Sequence, residues 1–162
     1  NQAQICYYVS METLSRETHI KFRNPWYITG IVEGEGTFTY SHSGNHLALY
    51  FAVKLTATDR RVLESIQKFF GGIGKIYMVK PSYGRKNSGR TKTSCYYRVT
   101  RISELPYIVS HFERFPFVGN KRKSFAIWRE MVRLKLRMRR APINTLNMLA
   151  EKLSAAAVRN QT

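Results

Sequence analysis

NPWYITGIVEGEG, residues 24–36, closes an apolar run on two glutamates set among glycines. The chain has 162 residues and carries 27 Lys+Arg against 10 Asp+Glu, a formal net charge of +17, so the few acids are informative by position. Asn24 followed by Pro25 is a helix opening: a capping side chain, then a proline whose missing N–H is not needed in the first turn. WYITGIVEG continues the helix until Gly34 and Gly36 stop it. Gly30 and Gly34 then lie four residues apart on one helix face, where the absence of side chains lets a second helix approach closely. Glu35 stands at the helix end, facing whatever the basic remainder of the chain is built to hold.

Beyond this helix the periodicity changes to two. In residues 37–58 a strand from Thr37 turns near Ser43-Gly44-Asn45. It returns with Leu47, Leu49, Phe51, Val53 and Leu55 on one face and Ala48, Tyr50, Ala52, Lys54 and Thr56 on the other. TDRRVLESIQKFF, 58–70, restores helical spacing, with Val62, Leu63, Ile66 and Phe69/Phe70 as its buried stripe and Gly71-Gly72 as its stop. A second hairpin follows: strands over 73–80 and 94–101 joined by the polar loop 81–93. Residues 102–112 read as a short helix, 120–140 as a longer one, and 143–159, after Pro142, as a last amphipathic helix. The core order is αββαββα, without internal repeats. Residues 1–23 read as a leader containing an internal start candidate, Met11. Residues 24–141 form the main domain, and 142–162 a C-terminal helix packed upon it.

Charge position separates the surfaces. Between Glu35 and Glu104 the only acids are Asp59 and Glu64, both on the helix between the hairpins, so both hairpins lack carboxylates. The first hairpin offers Thr37, Thr39, Ser41, His42, Tyr50, Lys54 and Thr56. The second offers Lys75, Tyr77, Lys80, Arg85, Lys86, Arg90, Lys92, Tyr96 and Arg98. Solvated faces normally mix both signs, so a broad basic face calls for a polyanion. A β-ribbon fits the DNA major groove, where Arg and Lys read guanine edges. RNA would have to present exposed single strands, because the A-form major groove is too narrow.

Other classes fall away. No apolar run reaches the length of a membrane span and no signal-peptide pattern opens the chain. Cys6 and Cys95 are too few for a disulfide framework or a cysteine-rich zinc site, which fits a reducing, intracellular setting. His19, His42, His46 and His111 share no metal-binding spacing. RLKLRMRR, 133–140, alternates apolar and basic residues, and its place near Lys121 suits a phosphate backbone better than a lipid surface. For Glu35, a carboxylate beside a phosphate-binding face is repulsive unless a divalent cation lies between them. Mg²⁺ takes such a site, with one or two carboxylates plus water and phosphate oxygens.

ITGIVEGEG, 28–36, resembles the nine-residue LAGLIDADG motif of homing endonucleases, and Trp26-Tyr27 before it and Thr37-Phe38 after it are similar to that family as well. The resemblance implies an α+β fold with an antiparallel four-stranded DNA-binding sheet per subunit and helices packed on one face. Two motif helices would pair at a twofold axis through Gly30 and Gly34, making a homodimer. It implies that Glu35 binds the catalytic Mg²⁺, a site Mn²⁺ or Ca²⁺ can also occupy, with help from the Gly34 carbonyl. Glu33 is a helix-end or interface group in that pattern. FPFVGNKRKSF, 115–125, resembles the segment that carries the family's catalytic lysine: Lys121 is the best match and Lys123 the fallback. Two departures stand out. Glu replaces the commoner Asp at both motif acids, and the polar residue near the end of the second strand is represented only by Thr56, with Arg60 or Arg61 as accessory bases.

The expectation is therefore a site-specific endonuclease that cuts both strands of a long pseudo-palindromic duplex by Mg²⁺-dependent in-line hydrolysis, leaving 5′-phosphate and 3′-hydroxyl ends. It would work in a bacterial cytoplasm or an organelle. The alternative is a non-cleaving DNA- or RNA-binding protein on the same fold, such as an intron maturase or a regulator.

Overall fold

The computed structural model describes residues 24–44, 46–79, 93–138 and 141–158. The expected leader and the loop basics Lys80, Arg85, Lys86, Arg90 and Lys92 lie outside them. Helix α1 spans Pro25–Glu35, followed by strands β1 (Gly36–Ser43) and β2 (His46–Thr56), a 3-10 turn at Ala57–Asp59, and helix α2 (Arg60–Phe69). The second hairpin is β3 (Lys75–Val79) and β4 (Ser94–Val99). Three helices follow: α3 (Leu105–Arg114), α4 (Lys121–Arg137) and α5 (Ile143–Val158). The four strands form one antiparallel sheet in the order β1-β2-β4-β3, so β2 and β4 join the two hairpins at its centre.

The α+β architecture follows from period-two strands that bury one face. Leu47, Leu49, Phe51 and Val53 of β2 and Cys95, Tyr97 and Val99 of β4 are buried, and helices cover them. Phe38 of β1 is the hub of this layer. Its ring centroid lies 5.1–5.6 Å from those of Phe51, Phe112, Phe117, Phe125 and Trp128. Aromatic pairs at such spacing add to the area term, and the Trp128 indole is satisfied by donating to Thr39 O at 3.2 Å. α5 lays Leu146, Leu149, Ala150 and Leu153 onto the same core, at the spacing of one helix face, and Tyr40 Oη meets Ser154 Oγ at 2.8 Å.

Local signals act where the residues place them. Asn24 Oδ1 accepts from Trp26 N at 3.0 Å, the capping bond its side chain is suited to make. α2 ends at Gly71 and Gly72, whose φ values of 74° and 80° disfavour any side chain. Two boundaries differ from the expected ones. β3 starts at Lys75 rather than Ile73 because Gly74 turns at φ 71°, and β4 ends at Val99, ahead of the turn over 102–104 that leads into α3. α3 begins at Leu105 rather than Ile102, with Pro106 in its first turn.

His111 is buried among the rings of Phe69, Phe70, Phe112 and Phe115, at centroid distances of 4.7–5.4 Å. Burial lowers its pKa from 6.5 to about 4. A depressed folded-state pKa means that the unfolded chain takes up the proton first as pH falls. Its contribution is intact above about pH 6.5 and is lost as pH falls towards 4, by up to about 3 kcal/mol. The difference between urea-unfolding curves of wild type and His111→Phe across that window measures this. Parallel pH dependences would show that His111 does not contribute.

Candidate functional site

The site is built where α1 runs into β1 without a linker. Ile28, Thr29 and Val32 form the buried face of α1, which sets Glu35 at its last position, exposed at the edge of the sheet. Gly36 makes the junction possible. A Cβ there would lie 2.3 Å from Val32 Cγ1 and 2.7 Å from Val32 O, so a side chain would force strand and helix apart. Glu35 therefore projects at the C-terminal end of a helix. There the last-turn carbonyls, including that of Gly34, have no partner within the helix, and the dipole favours a cation.

Lys121 reaches this point from 85 residues away, its Nζ donating to Gly36 O. It is half-buried, and burial lowers its pKa, while Glu33 and Glu35 pull in the opposite direction. Lys121 is thereby anchored on the residue next to Glu35, close enough for the Glu35 charge to act on its ammonium. Lys121, Arg122 and Lys123 occupy the N-terminal turn of α4, which has no acid of its own, and there the helix dipole disfavours cations. Glu33, four residues after Thr29, turns its carboxylate to the loop before α4. It accepts from Val118 N at 3.3 Å and Gly119 N at 3.0 Å. Sequence reading placed Glu33 at a helix end and missed this partner, because nothing local to either segment announces a contact across the chain.

The open face of the sheet continues from the junction. Pairing register places Thr37, Ala52, Arg98 and Lys75 in one row across all four strands, and Lys54, Tyr96 and Tyr77 in the next accessible row. Thr39 with Tyr50, and Ser41 with Ala48, extend the same face towards the first hairpin tip. The Arg98 guanidinium lies 4.6 Å from the Tyr50 ring centroid and 5.9 Å from that of Tyr96, and Lys54 Nζ is 5.5 Å from the latter. Cation–π contacts hold the charges over aromatic shelves without neutralising them. At the β3 side a cavity lined by Lys75, Tyr77, Arg98 and Arg101 also contains Glu104, whose carboxylate accepts from Gly74 N at 3.2 Å and pairs with Arg101 at 3.4 Å.

Several expected contacts sit elsewhere. His42 pairs with Leu47, which is buried on the helix side, and its ring lies 5.3 Å from Tyr40; period-two alternation turns it away from Thr37, Thr39 and Ser41. Thr56 is tied into the following turn, donating to Asp59 Oδ2 at 2.7 Å and meeting Thr58 Oγ1 at 2.7 Å. Arg60 is bound to Glu64 at 2.8 Å, whereas Arg61 and Lys123 are exposed. On the outer face of α1, Trp26 and Tyr27 are 50% and 52% exposed, and a Cβ at Gly30 or Gly34 would meet nothing within 4 Å. Among the described residues no three His, Cys, Asp or Glu gather into a metal cluster. No described helix is long and apolar enough to cross a membrane.

The family model for LAGLIDADG endonuclease matches residues 28–132, more than half of the sequence, and the chain belongs to that family. Among curated relatives, "Probable intron-encoded endonuclease 3" of Neurospora crassa is 25% identical over 133 residues, 78% of this chain and 23% of its own length. An uncharacterized 50.9 kDa protein in ND4 intron 1 of Podospora anserina is 29% identical over 118 residues, 67% of this chain and 24% of its own. The chain thus spans about a quarter of these relatives. The LAGLIDADG meganuclease I-AabMI, solved bound to uncleaved DNA, superposes with a TM-score of 0.63 at 29% identity, over 78% of this chain and 42% of that one. The homing endonuclease I-TnaI, at 24% identity, shares the fold with a TM-score of 0.65, over 80% of this chain and 85% of that one.

Proposed function

We propose that the chain is one half of a site-specific, Mg²⁺-dependent DNA endonuclease. The observation that carries this reading is the anchoring of the Lys121 ammonium on Gly36 O, next to the exposed carboxylate of Glu35, at the edge of a sheet whose strands carry no acid. A protein that only binds polyanions has no use for a carboxylate there, since it repels phosphate. The donor set fits a hard cation. One carboxylate and the adjoining Gly34 carbonyl leave most of the coordination shell to water and phosphate oxygens, as Mg²⁺ prefers; Mn²⁺ and Ca²⁺ accept the same oxygens. Bound there, the ion would offset phosphate charge and acidify an attacking water.

The chain's own groups divide the remaining work. The sheet rows seat the duplex, with Arg98 and Lys75 able to donate to base edges in the major groove. Lys121 presents its ammonium where charge builds up on the scissile phosphate, a form of electrostatic stabilisation that depends on fixed placement. Hydrolysis of one phosphodiester in each strand leaves 5′-phosphate and 3′-hydroxyl ends. One copy of the motif supplies one such centre, so a second half has to supply the other, and a second copy of this chain would serve. It docks through the exposed α1 face around Gly30 and Gly34 and recognises a pseudo-palindromic target. The intron-encoded relatives favour an organellar or bacterial intracellular setting.

A randomised duplex pool, selected for cleavage with and without Mg²⁺, tests the reading. Mg²⁺-dependent double-strand breaks at one recoverable sequence are expected. Tight binding without any cut would favour the maturase or regulator reading instead. With roughly six to ten phosphate contacts, affinity should fall by about three to five orders of magnitude between about 50 and about 200 mM salt. A log–log slope near zero would remove the basic face from the interface.

A further inference from the structure

α1 does more than end in Glu35. Thr29 and Glu33, four residues apart and so on one helix face, both hold the segment that leads into α4. Thr29 Oγ1 donates to Phe115 O at 3.0 Å, and the Trp26 ring meets Phe115 edge-on at 5.5 Å. Glu33 takes the far end of the same segment with both carboxylate oxygens, one on Val118 N and one on Gly119 N. The fit is close from the other side too, since a Cβ on Gly119 would lie 2.6 Å from Glu33 Oε1. Asn120 makes no capping bond with its side chain, and the first turn of α4 contains only cations. Glu33 thus holds the backbone just ahead of α4, while the first-turn N–H groups of Arg122 and Lys123 go to Gly119 O and Asn120 O, and its charge lies near the cationic first turn.

We infer that Glu33 is a positioning residue: by holding the Val118–Gly119 backbone it sets the start of α4, and with it the reach of the Lys121 ammonium to Gly36 O beside Glu35. The inference rests on the endonuclease reading for its kinetic consequence, but the clamp itself is a property of the folded chain. Lys121 is two residues beyond Gly119 and half-buried, so its ammonium has little freedom to compensate for a shift of the loop. Supporting partners of this kind are typically worth about 10- to 100-fold in activity when removed.

Two variants release the clamp from opposite sides. Glu33→Gln withdraws the charge and one acceptor, and Gly119→Ala pushes the carboxylate off the backbone. Each should lower the single-turnover cleavage rate by about 10- to 100-fold with DNA affinity unchanged. The readout that a general loss of structure would not reproduce is a double-mutant cycle. In a Lys121→Met background neither substitution should slow cleavage further, because the residue it positions is gone. Independently of activity, amide hydrogen exchange at Val118 and Gly119 should accelerate in Glu33→Gln while core amides such as those of Phe51 and Val53 stay protected. A wild-type protein that does not cut would sink the endonuclease reading, leaving the exchange measurement to decide the clamp. Unchanged exchange, a wild-type rate in both variants, or an undiminished loss in the Lys121→Met background would overturn the inference.

Discussion

Glu35→Gln is expected to abolish cleavage while leaving DNA affinity unchanged or higher. The residue is exposed at the last position of α1, and the substitution is isosteric, so neither packing nor the helix end is disturbed. What changes is chemistry. An amide oxygen is a weaker ligand for a hard cation, and one negative charge beside the phosphate disappears. On the proposed reading the first effect would weaken the hold on the divalent ion, and the second would relieve a repulsion that opposes binding. A loss beyond about 1,000-fold corresponds to roughly 4 kcal/mol of transition-state stabilisation, within the reach of a single strongly charged group in a desolvated site. The check is a plasmid cleavage time course in Mg²⁺ beside a binding titration under the same salt. Full activity in the variant would rule out Glu35 as the ligand.

The second large effect concerns assembly. Gly30→Leu should separate the α1 helices of two copies and so abolish dimerisation and cleavage together. Within one copy the substitution is harmless: Gly30 is exposed and a Cβ there meets nothing within 4 Å. Leucine also favours helix over glycine by roughly 0.8 kcal/mol, so the thermal stability of the single chain should hold or rise. Two exposed glycines in an eleven-residue helix are a stability deficit, and a closely approaching partner would account for it. Two chains at +17 repel, so the contact must be tight and apolar, as the exposed Trp26 and Tyr27 allow, and DNA or added salt should promote it. Analytical ultracentrifugation with cleavage kinetics on the variant decides the point. A monomer cutting both strands at the wild-type rate would refute the paired arrangement.

Much of this was legible in residues 24–36. The Asn-Pro opening, the apolar stripe and the glycine stop define α1, and the change to period two after Gly36 defines the β1–β2 hairpin, as the structure has them. The alternation in β2 also separated the buried Leu47, Leu49, Phe51 and Val53 from the open face carrying Tyr50 and Lys54. The structure departs from the sequence-based grouping where alternation was not followed to its end. His42 is one residue out of step with Thr39 and Ser41, and one step is enough to change faces. Thr56 and Arg60 are claimed by neighbours three and four residues away, Asp59 and Glu64, which a list of polar residues does not reveal. The Glu33 clamp escaped for a different reason. It is a side chain-to-backbone contact 85 and 86 residues apart, and backbone N–H groups carry no signature in a sequence.

The register of the sheet has a consequence for inheritance. The rows that face outward, Thr37–Arg98–Lys75 and Lys54–Tyr96–Tyr77, share no side chain with the aromatic layer around Phe38 on the reverse. A lineage carrying this fold can therefore change the outward rows, whose Arg98, Tyr50, Tyr96 and Lys54 are coupled to one another, while the layer beneath and the α1–β1 junction pass on unchanged.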